Sequence, residues 1–436
     1  MSPVGRPEGA TASHLTGERL RRWAPRGAVA VLDQAAYAAT GFLTTALLAR
    51  ILDEAQYAAF ALAYSILALI VSAHGAAIVE PMLVLAPSRY ATRTRGYVAR
   101  VASVHFAVTL AVGLIVCLAG GLLGLLGHPA RAHAFLGLGL ALPALLVVWV
   151  VRRAFLAHGD ARGQAAVSLV YLVLALAALG ALFMLRASNG GLAFVALGLC
   201  GLLTALLFRA RLNRMGTTQV PPSFREVLRA HWGYGAWLQA ALVVGWASGN
   251  IHYYVLSSTL GDTAVAGMRA IDTVLMPLWQ ILAALGTVLL PSLARVMGTP
   301  RVGRLVVEVA ALFLGVGLVS AAVLAGLGRS ILTLVCGARY AEFDATLALF
   351  SIALPFETTA SFLLAVLRAA GRTRVIFGYY LLLAIAVPLG YVLVARVTAN
   401  WSLDALIVAR VLASVALTLG LVVAVALATR TRHPGP

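Results

Sequence analysis

Twelve apolar runs, all near the roughly 20 residues that a helix needs to cross a bilayer, follow one another along this chain with short polar connections. They lie near 28–49, 56–79, 99–126, 133–151, 164–185, 191–208, 232–257, 263–291, 304–327, 345–367, 374–395 and 403–428. In lipid every backbone N–H and C=O must be bonded within the protein, so runs of this length are expected to be helices. The predicted class is an all-α integral membrane protein of about 12 transmembrane helices. Composition agrees: 11% of residues are charged, against about a quarter in soluble domains. No connection is long enough to fold as a soluble domain.

All 33 basic residues are arginine, and 15 acids leave a formal charge of +18. In a soluble chain such an excess would point to nucleic acid. Here the arginines cluster between apolar runs, where the positive-inside rule accounts for them, and no nucleic-acid partner is expected. Twelve spans make the connections alternate between two sides. One side, taken to include Arg152 and Arg153 as loop residues, collects 25 arginines; the other holds six, among them Arg50, Arg131 and Arg339. That bias predicts cytosolic termini, and the expected location is the cytoplasmic (inner) membrane. Arg269 and Arg410 fall inside runs and belong to neither side.

The expected division is a basic cytosolic tail at 1–27, a six-helix bundle at 28–210, a cytosolic linker at 211–231, a second bundle at 232–428 and a tail at 429–436. An internal repeat supports two halves. Ala141-Leu-Pro-Ala-Leu145 recurs as Ala353-Leu-Pro-Phe-Glu357, and Leu52-Asp-Glu-Ala-Gln-Tyr-Ala-Ala-Phe60 lies over Leu260-Gly-Asp-Thr-Ala-Val-Ala-Gly-Met268 at nearly the same offset. With six spans each, the halves are parallel repeats, as in transporters whose bundles rock around a central site.

The repeat also shows where the halves differ. Arg269 corresponds to Ala61, Asp272 to Tyr64, Glu357 to Leu145 and Arg410 to Leu199. A charge at the centre of a membrane helix costs at least about 2.5–3.5 kcal/mol unless it meets a partner or a wet cavity. These four are therefore candidate substrate- or ion-binding residues. Arg269 and Asp272, three apart, could pair on one helix face, whereas Arg410 needs Glu357, Asp272, water or an anionic ligand. Asp33 at the start of the first run is a further candidate, or an interfacial acid. Asn250, in Ser248-Gly-Asn-Ile-His-Tyr-Tyr254, is another, beside a glycine that could loosen the helix. His74 and His105 are expected to be packed.

No catalytic residues are expected, since phosphate loops, zinc-protease motifs and nucleophile elbows are absent from the sequence. Cys117, Cys200 and Cys336 lack metal spacing and are read as packing residues. No metal and no cofactor is expected.

Asp33-Gln34 leading to Leu47-Leu-Ala-Arg-Ile-Leu-Asp-Glu-Ala-Gln-Tyr57 resembles the LLAR-LLG-acidic-aromatic run of the polysaccharide transporters. These are flippases of lipid-linked oligosaccharides (O-antigen, exopolysaccharide; Wzx-like) in the superfamily of multidrug, oligosaccharidyl-lipid and polysaccharide (MOP) exporters. Leu334-Val-Cys-Gly-Ala-Arg-Tyr340 and Arg368-Ala-Ala-Gly-Arg-Thr-Arg374 are similar to further segments of that family, and Asp53 stands where a glycine is usual. The resemblance spans nearly the whole chain. It implies a V of two six-helix bundles, alternating access, and a central cationic cavity for the pyrophosphate of a polyprenyl-linked saccharide. It also implies the bilayer and other polysaccharide-assembly membrane proteins as partners.

The expectation is thus a non-enzymatic flippase, with Arg269 and Arg410 drawing in the anionic head group and Asp272 and Glu357 holding them or coupling to ions. A cation-coupled, MATE-like multidrug exporter is the competing transporter, although cationic drugs would favour uncompensated acids. A membrane-embedded glycosyl-transfer enzyme would be expected to show a sizeable outer loop.

Overall fold

A computed structural model describes residues 12–186, 189–216, 220–297 and 299–430. Each apolar run lies within a helical segment. The first half holds α1 (Ala12–Ile51), α2 (Glu54–His74), α3 (Thr94–Leu125), α4 (Pro129–Ala157), α5 (Ala161–Met184) and α6 (Gly190–Asn213). The second holds α7 (Phe224–Thr259), α8 (Asp262–Val296), α9 (Val302–Val335), α10 (Leu354–Ala369), α11 (Thr373–Val397) and α12 (Leu403–Arg430). Among the described residues nine of these segments have the length and apolarity to cross a membrane as they stand. A tenth is α10 taken with the short helices before it, bent by 54°. The other two, α1 and α8's predecessor α7, span 40 and 36 residues but carry more polar side chains.

The segment ends differ from the expected boundaries. Helix begins at Ala12, inside the expected tail, because the Glu, Leu and Arg of 18–22 favour helix whatever their polarity. Helix also reaches Asn213 and restarts at Phe224, at both ends of the expected linker. Ser223 caps α7 by accepting the Glu226 N–H.

Prolines explain the irregular segments. Pro143 sits inside an unbroken α4, whereas its repeat counterpart Pro355 opens α10 just after the bend. Proline lacks the N–H that would continue a helix through it, yet fits a first turn. A π turn, Gly75–Val79, likewise precedes Pro81 and a six-residue helix, Glu80–Leu85, that completes the second span.

The halves use one packing scheme. In the first, α4 contacts α2, α3, α5 and α6, and α1 lies on α5; in the second, α10 contacts α8, α9, α11 and α12, and α7 lies on α11. Across the middle α2 packs on α8, flanked by α1 against α8 and α7 against α2. That arrangement is the one expected of parallel repeats about an axis along the membrane normal.

Packing in the first half depends on small residues. A Cβ built on Gly137 would lie 2.3 Å from the Gly191 carbonyl oxygen, and one on Gly201 would lie 2.3 Å from that of Ala144. Backbones approach this closely in membranes because dispersion and tight fit, not water exclusion, drive helix association.

Between α1 and α8 the halves converge at the end carrying few arginines and part toward the arginine-rich end, whereas α7 stays bonded to the first half there, through Tyr97 and His231 at 2.8 Å and Arg93 and Glu226 at 2.8 Å. Between α1 and α8, contact reaches from the few-arginine end as far as Gly41 and Thr45 against Met276. Beyond it Val31 and Leu32 of α1 and Ile281, Leu285 and Val288 of α8 are exposed. The α2–α7 seam stays closed further, through Trp246 Nε1–H to the Ser65 carbonyl at 2.6 Å and Gln239 to that of Ala73 at 3.1 Å.

Gly201→Val should destabilise the first half by about 1–3 kcal/mol or prevent folding, as overpacking does. Gly180→Val, on a surface with open space around it, should leave the thermal midpoint in detergent unchanged.

Candidate functional site

Arg269 and Asp272 sit in the first third of α8, but they do not pair. Residues three apart differ by about 60° in direction around a helix, and here that offset aims them at different neighbours. The Arg269 guanidinium lies over the Tyr64 ring of α2, 4.3 Å from its centroid. Asp272 turns to α7, where it accepts a hydrogen bond from the Tyr253 hydroxyl and lies 3.6 Å from His252 Nε2. The self-neutralising pair that the spacing allowed is not formed, and Tyr253 of α7 lies close to both side chains.

Arg269 is 6% exposed, and its Nε and Nη2 have no hydrogen-bond partner among the described residues. Cation–π attraction in a desolvated site is worth about 2 kcal/mol. Each unmet buried donor costs about 1–3 kcal/mol, and more on a charged group. The ring thus does not compensate the guanidinium fully. Around it the seam is ordered by hydroxyls: Tyr57 and Thr273 meet at 3.3 Å, and Ser65 and Tyr254 at 2.7 Å.

Arg410 of α12 has a complete partner in Glu357 of α10. Its Nε donates to Oε1 at 2.9 Å and its Nη2 to Oε2 at 3.3 Å, while Ser414 donates to Oε1 at 3.0 Å. The guanidinium also lies 4.6 Å from the centre of the Phe350 ring. Asp272 lies within electrostatic reach of Arg410, and their side chains are 20% and 18% exposed. The four formal charges balance, so the centre is less cationic than the resemblance implied. Of the four, only Arg410 and Glu357 have a hydrogen-bonded countercharge, in each other; Asp272 is met by the neutral Tyr253 hydroxyl, and Arg269 keeps two unmet N–H donors.

Asp33 is far more than an interfacial acid. It is 4% exposed and receives Arg152 Nε on Oδ1 at 2.8 Å, the Arg152 Nη2 on Oδ2, and hydrogen bonds from Gln164 and Ser168. Arg152, counted with the loops on its sequence position, is thus a buried residue of α4, stacked 4.8 Å over Tyr37. A bidentate carboxylate with neutral donors around it satisfies the group, which makes Asp33 a bolt between α1, α4 and α5. Its spacing from Arg152 carries no periodic signal, so sequence reasoning missed the partner.

Asn250 neither loosens α7 nor reaches another helix. The helix is continuous from Phe224 to Thr259, and the Asn250 amide donates to the Trp246 carbonyl one turn back at 3.0 Å. His74 and His105 are packed as expected, their rings joined at 2.9 Å, with His105 Nε2 donating to the Pro143 carbonyl at 3.1 Å. Tyr64, Tyr253 and His252 were not singled out as site residues. The available signal was the repeat, which sets Tyr64 opposite Asp272 on helices that prove to be packing partners.

No family model matches the sequence, and no curated protein matches it. Solved structures do. An inward-facing multidrug resistance MATE family transporter of the MOP superfamily superposes with a TM-score of 0.72 at 14% identity, covering 92% of this chain and 99% of that one. The lipid II flippase MurJ, in an inward closed conformation, gives 0.66 at 10% identity over 91% and 87%. A MOP superfamily transporter from Pyrococcus furiosus, described as having a binding pocket of reverse polarity, gives 0.60 at 12% over 92% and 95%. The chain therefore has the fold shared by MATE exporters and MurJ.

Removing one partner of a buried ion pair costs about 3–5 kcal/mol. Asp33→Ala and Arg152→Ala should each lower stability by that order, read as a fall in the thermal midpoint. Glu357→Ala should strand Arg410 similarly, and a double Glu357→Gln/Arg410→Met variant should recover most of the loss.

Proposed function

We propose that the protein is an alternating-access transporter that moves a polyprenyl-pyrophosphate-linked saccharide across the cytoplasmic membrane for exopolysaccharide or O-antigen assembly. The observation that carries this reading is Arg269: a buried guanidinium on the seam between the halves, with two unmet N–H donors. An incoming pyrophosphate would supply charge-assisted bonds of the kind a guanidinium takes in pairs. Arg410, held by Glu357, would present a second, pre-oriented cation. Asp272, bonded to Tyr253, would position α7 against α8 or couple to an ion. Separation of the halves at the few-arginine end would uncover Arg269 from Tyr64, while the polyprenyl tail stays in lipid beside the parted α1 and α8.

A multidrug exporter on the same fold would draw cationic cargo to uncompensated acids. Here Asp33, Asp272 and Glu357 each accept hydrogen bonds, and the seam's central group with unmet donors, Arg269, is a cation, so the flippase reading is favoured.

The test is flipping of a fluorescent polyprenyl-pyrophosphate-linked oligosaccharide by purified protein in vesicles. Arg269→Ala should slow flipping at least about tenfold, the value of ~1.4 kcal/mol, with Arg269→Lys losing less; Arg410→Ala should slow it as well. Flipping at the original rate by both alanine variants, or export of a cationic dye driven by a proton or sodium gradient, would overturn the proposal.

A further inference from the structure

At the few-arginine end the seam carries a second pair of arginines, outside the central cluster. Arg50 closes α1, and Arg339 lies in the turn that follows α9. Arg50 donates across the seam to the last carbonyls of α9: Nη2 to Thr333 at 3.0 Å and to Leu334, and Nε to Val335 at 3.2 Å. Arg339 reciprocates, Nη1 donating to the Leu52 carbonyl just past α1 at 2.7 Å. Each half thus caps a helix end of the other, where carbonyls lack intrahelical partners.

These acceptors are neutral dipoles. A helix C-terminus offers about half a negative charge, so two such ends leave about one positive charge on the pair. Neither guanidinium forms an ion pair with a carboxylate among the described residues. The acids nearest Arg50 in sequence are engaged elsewhere, Asp53 accepting the Gln56 N–H and Glu54 accepting from Thr263, and of those nearest Arg339, Asp344 accepts the Ala345 N–H. Both arginines keep exposed surface.

They also line a cavity of about 590 Å³, with Leu47 and Ile51 of α1, Phe183 of α5, and the Gly337–Ala338 turn. Its volume suits a small-molecule ligand, and its wall is mostly apolar. Its rim continues into exposed Phe183, Met184 and Leu185 on one side and Leu334 on the other, the kind of surface that meets lipid at the end of a span. A cavity lined by two guanidinium groups and apolar side chains, beside exposed apolar residues at the ends of spans, has the chemistry of one class of ligand.

We propose that this groove binds an anionic phospholipid from the leaflet at the few-arginine end, its phosphodiester between Arg50 and Arg339 and an acyl chain along Phe183, Leu47 and Ile51. Because the two arginines come from opposite halves, a bound lipid bridges the seam and favours closure of that end. The assignment is independent of what the central site carries.

Wild-type protein in detergent, titrated with phosphatidylglycerol or phosphatidylcholine and read by native mass spectrometry, should bind one phosphatidylglycerol about tenfold or more tightly than phosphatidylcholine. Arg50→Gln/Arg339→Gln should lose that preference. Since both side chains cap helix ends, a second measurement needs no variant: phosphatidylglycerol with a photoreactive group near the phosphate should label wild-type peptides containing 47–51 and 336–339. Millimolar inorganic phosphate should not displace the lipid. Equal binding of the two lipids, labelling confined to other segments, or displacement by inorganic phosphate would overturn the proposal, the last by making the groove a site for soluble anions.

Discussion

The packing of α2 against α8 is the contact on which the rest of the structure turns. These helices hold equivalent places in the two halves and meet near the axis that relates them, with α1 and α7 beside them. Buried Tyr57, Ala61 and Ala63 of α2 and Val265, Ala266 and Met268 of α8 belong to one apolar cluster. In lipid there is no water-driven force to hold two bundles together, so close fit and a few interhelical hydrogen bonds must do it. The Tyr57–Thr273 and Ser65–Tyr254 contacts are the ones nearest Arg269, joined along the seam by Trp246 to Ser65 and Gln239 to Ala73. Everything toward the arginine-rich end between α1 and α8 lies beyond their reach, and there the halves part.

Two buried ion pairs in the spans each fix one helix to another, and Arg269 belongs to neither. Asp33 with Arg152 locks α1 to α4, and Glu357 with Arg410 locks α10 to α12. Both are bidentate, so position as well as charge is settled. Arg269 instead rests on an aromatic ring at the seam between halves, with donors left over. A group that is incompletely satisfied within one arrangement of the bundles has most to gain from a ligand or from a different arrangement. The same reasoning separates the arginine pair at the seam's end, where neutral carbonyls serve as acceptors and charge remains in excess.

How much of this was legible beforehand depended on whether the signal was local or long-range. Runs of apolar residues located all twelve helical segments, because span length is set by bilayer thickness and read directly along the chain. The repeat disclosed which helices correspond, and the lack of charge at the equivalent positions of the first half singled out Arg269, Asp272, Glu357 and Arg410. Partners were another matter. Position alone assigned Arg152 to a loop, yet the end of α4 extends past the apolar run and buries it against Asp33. Asn250 looked like a weak point in α7 because of the glycine beside it, but the continuous backbone ladder and its bond to Trp246 keep it helical.

The sequence by itself determined a polytopic helical protein with two related halves and costly charges in the second, since hydrophobic length, arginine distribution and repeat offset are properties of residues in order. Only the tertiary structure decided that Arg269 rests on Tyr64 rather than pairing with Asp272, that Glu357 is the partner of Arg410, and that Arg50 and Arg339 cap each other's halves. Those choices depend on which helix lies 60° away around α8 and on where distant chain ends meet. Side-chain direction is fixed by packing, and packing is not written in spacing.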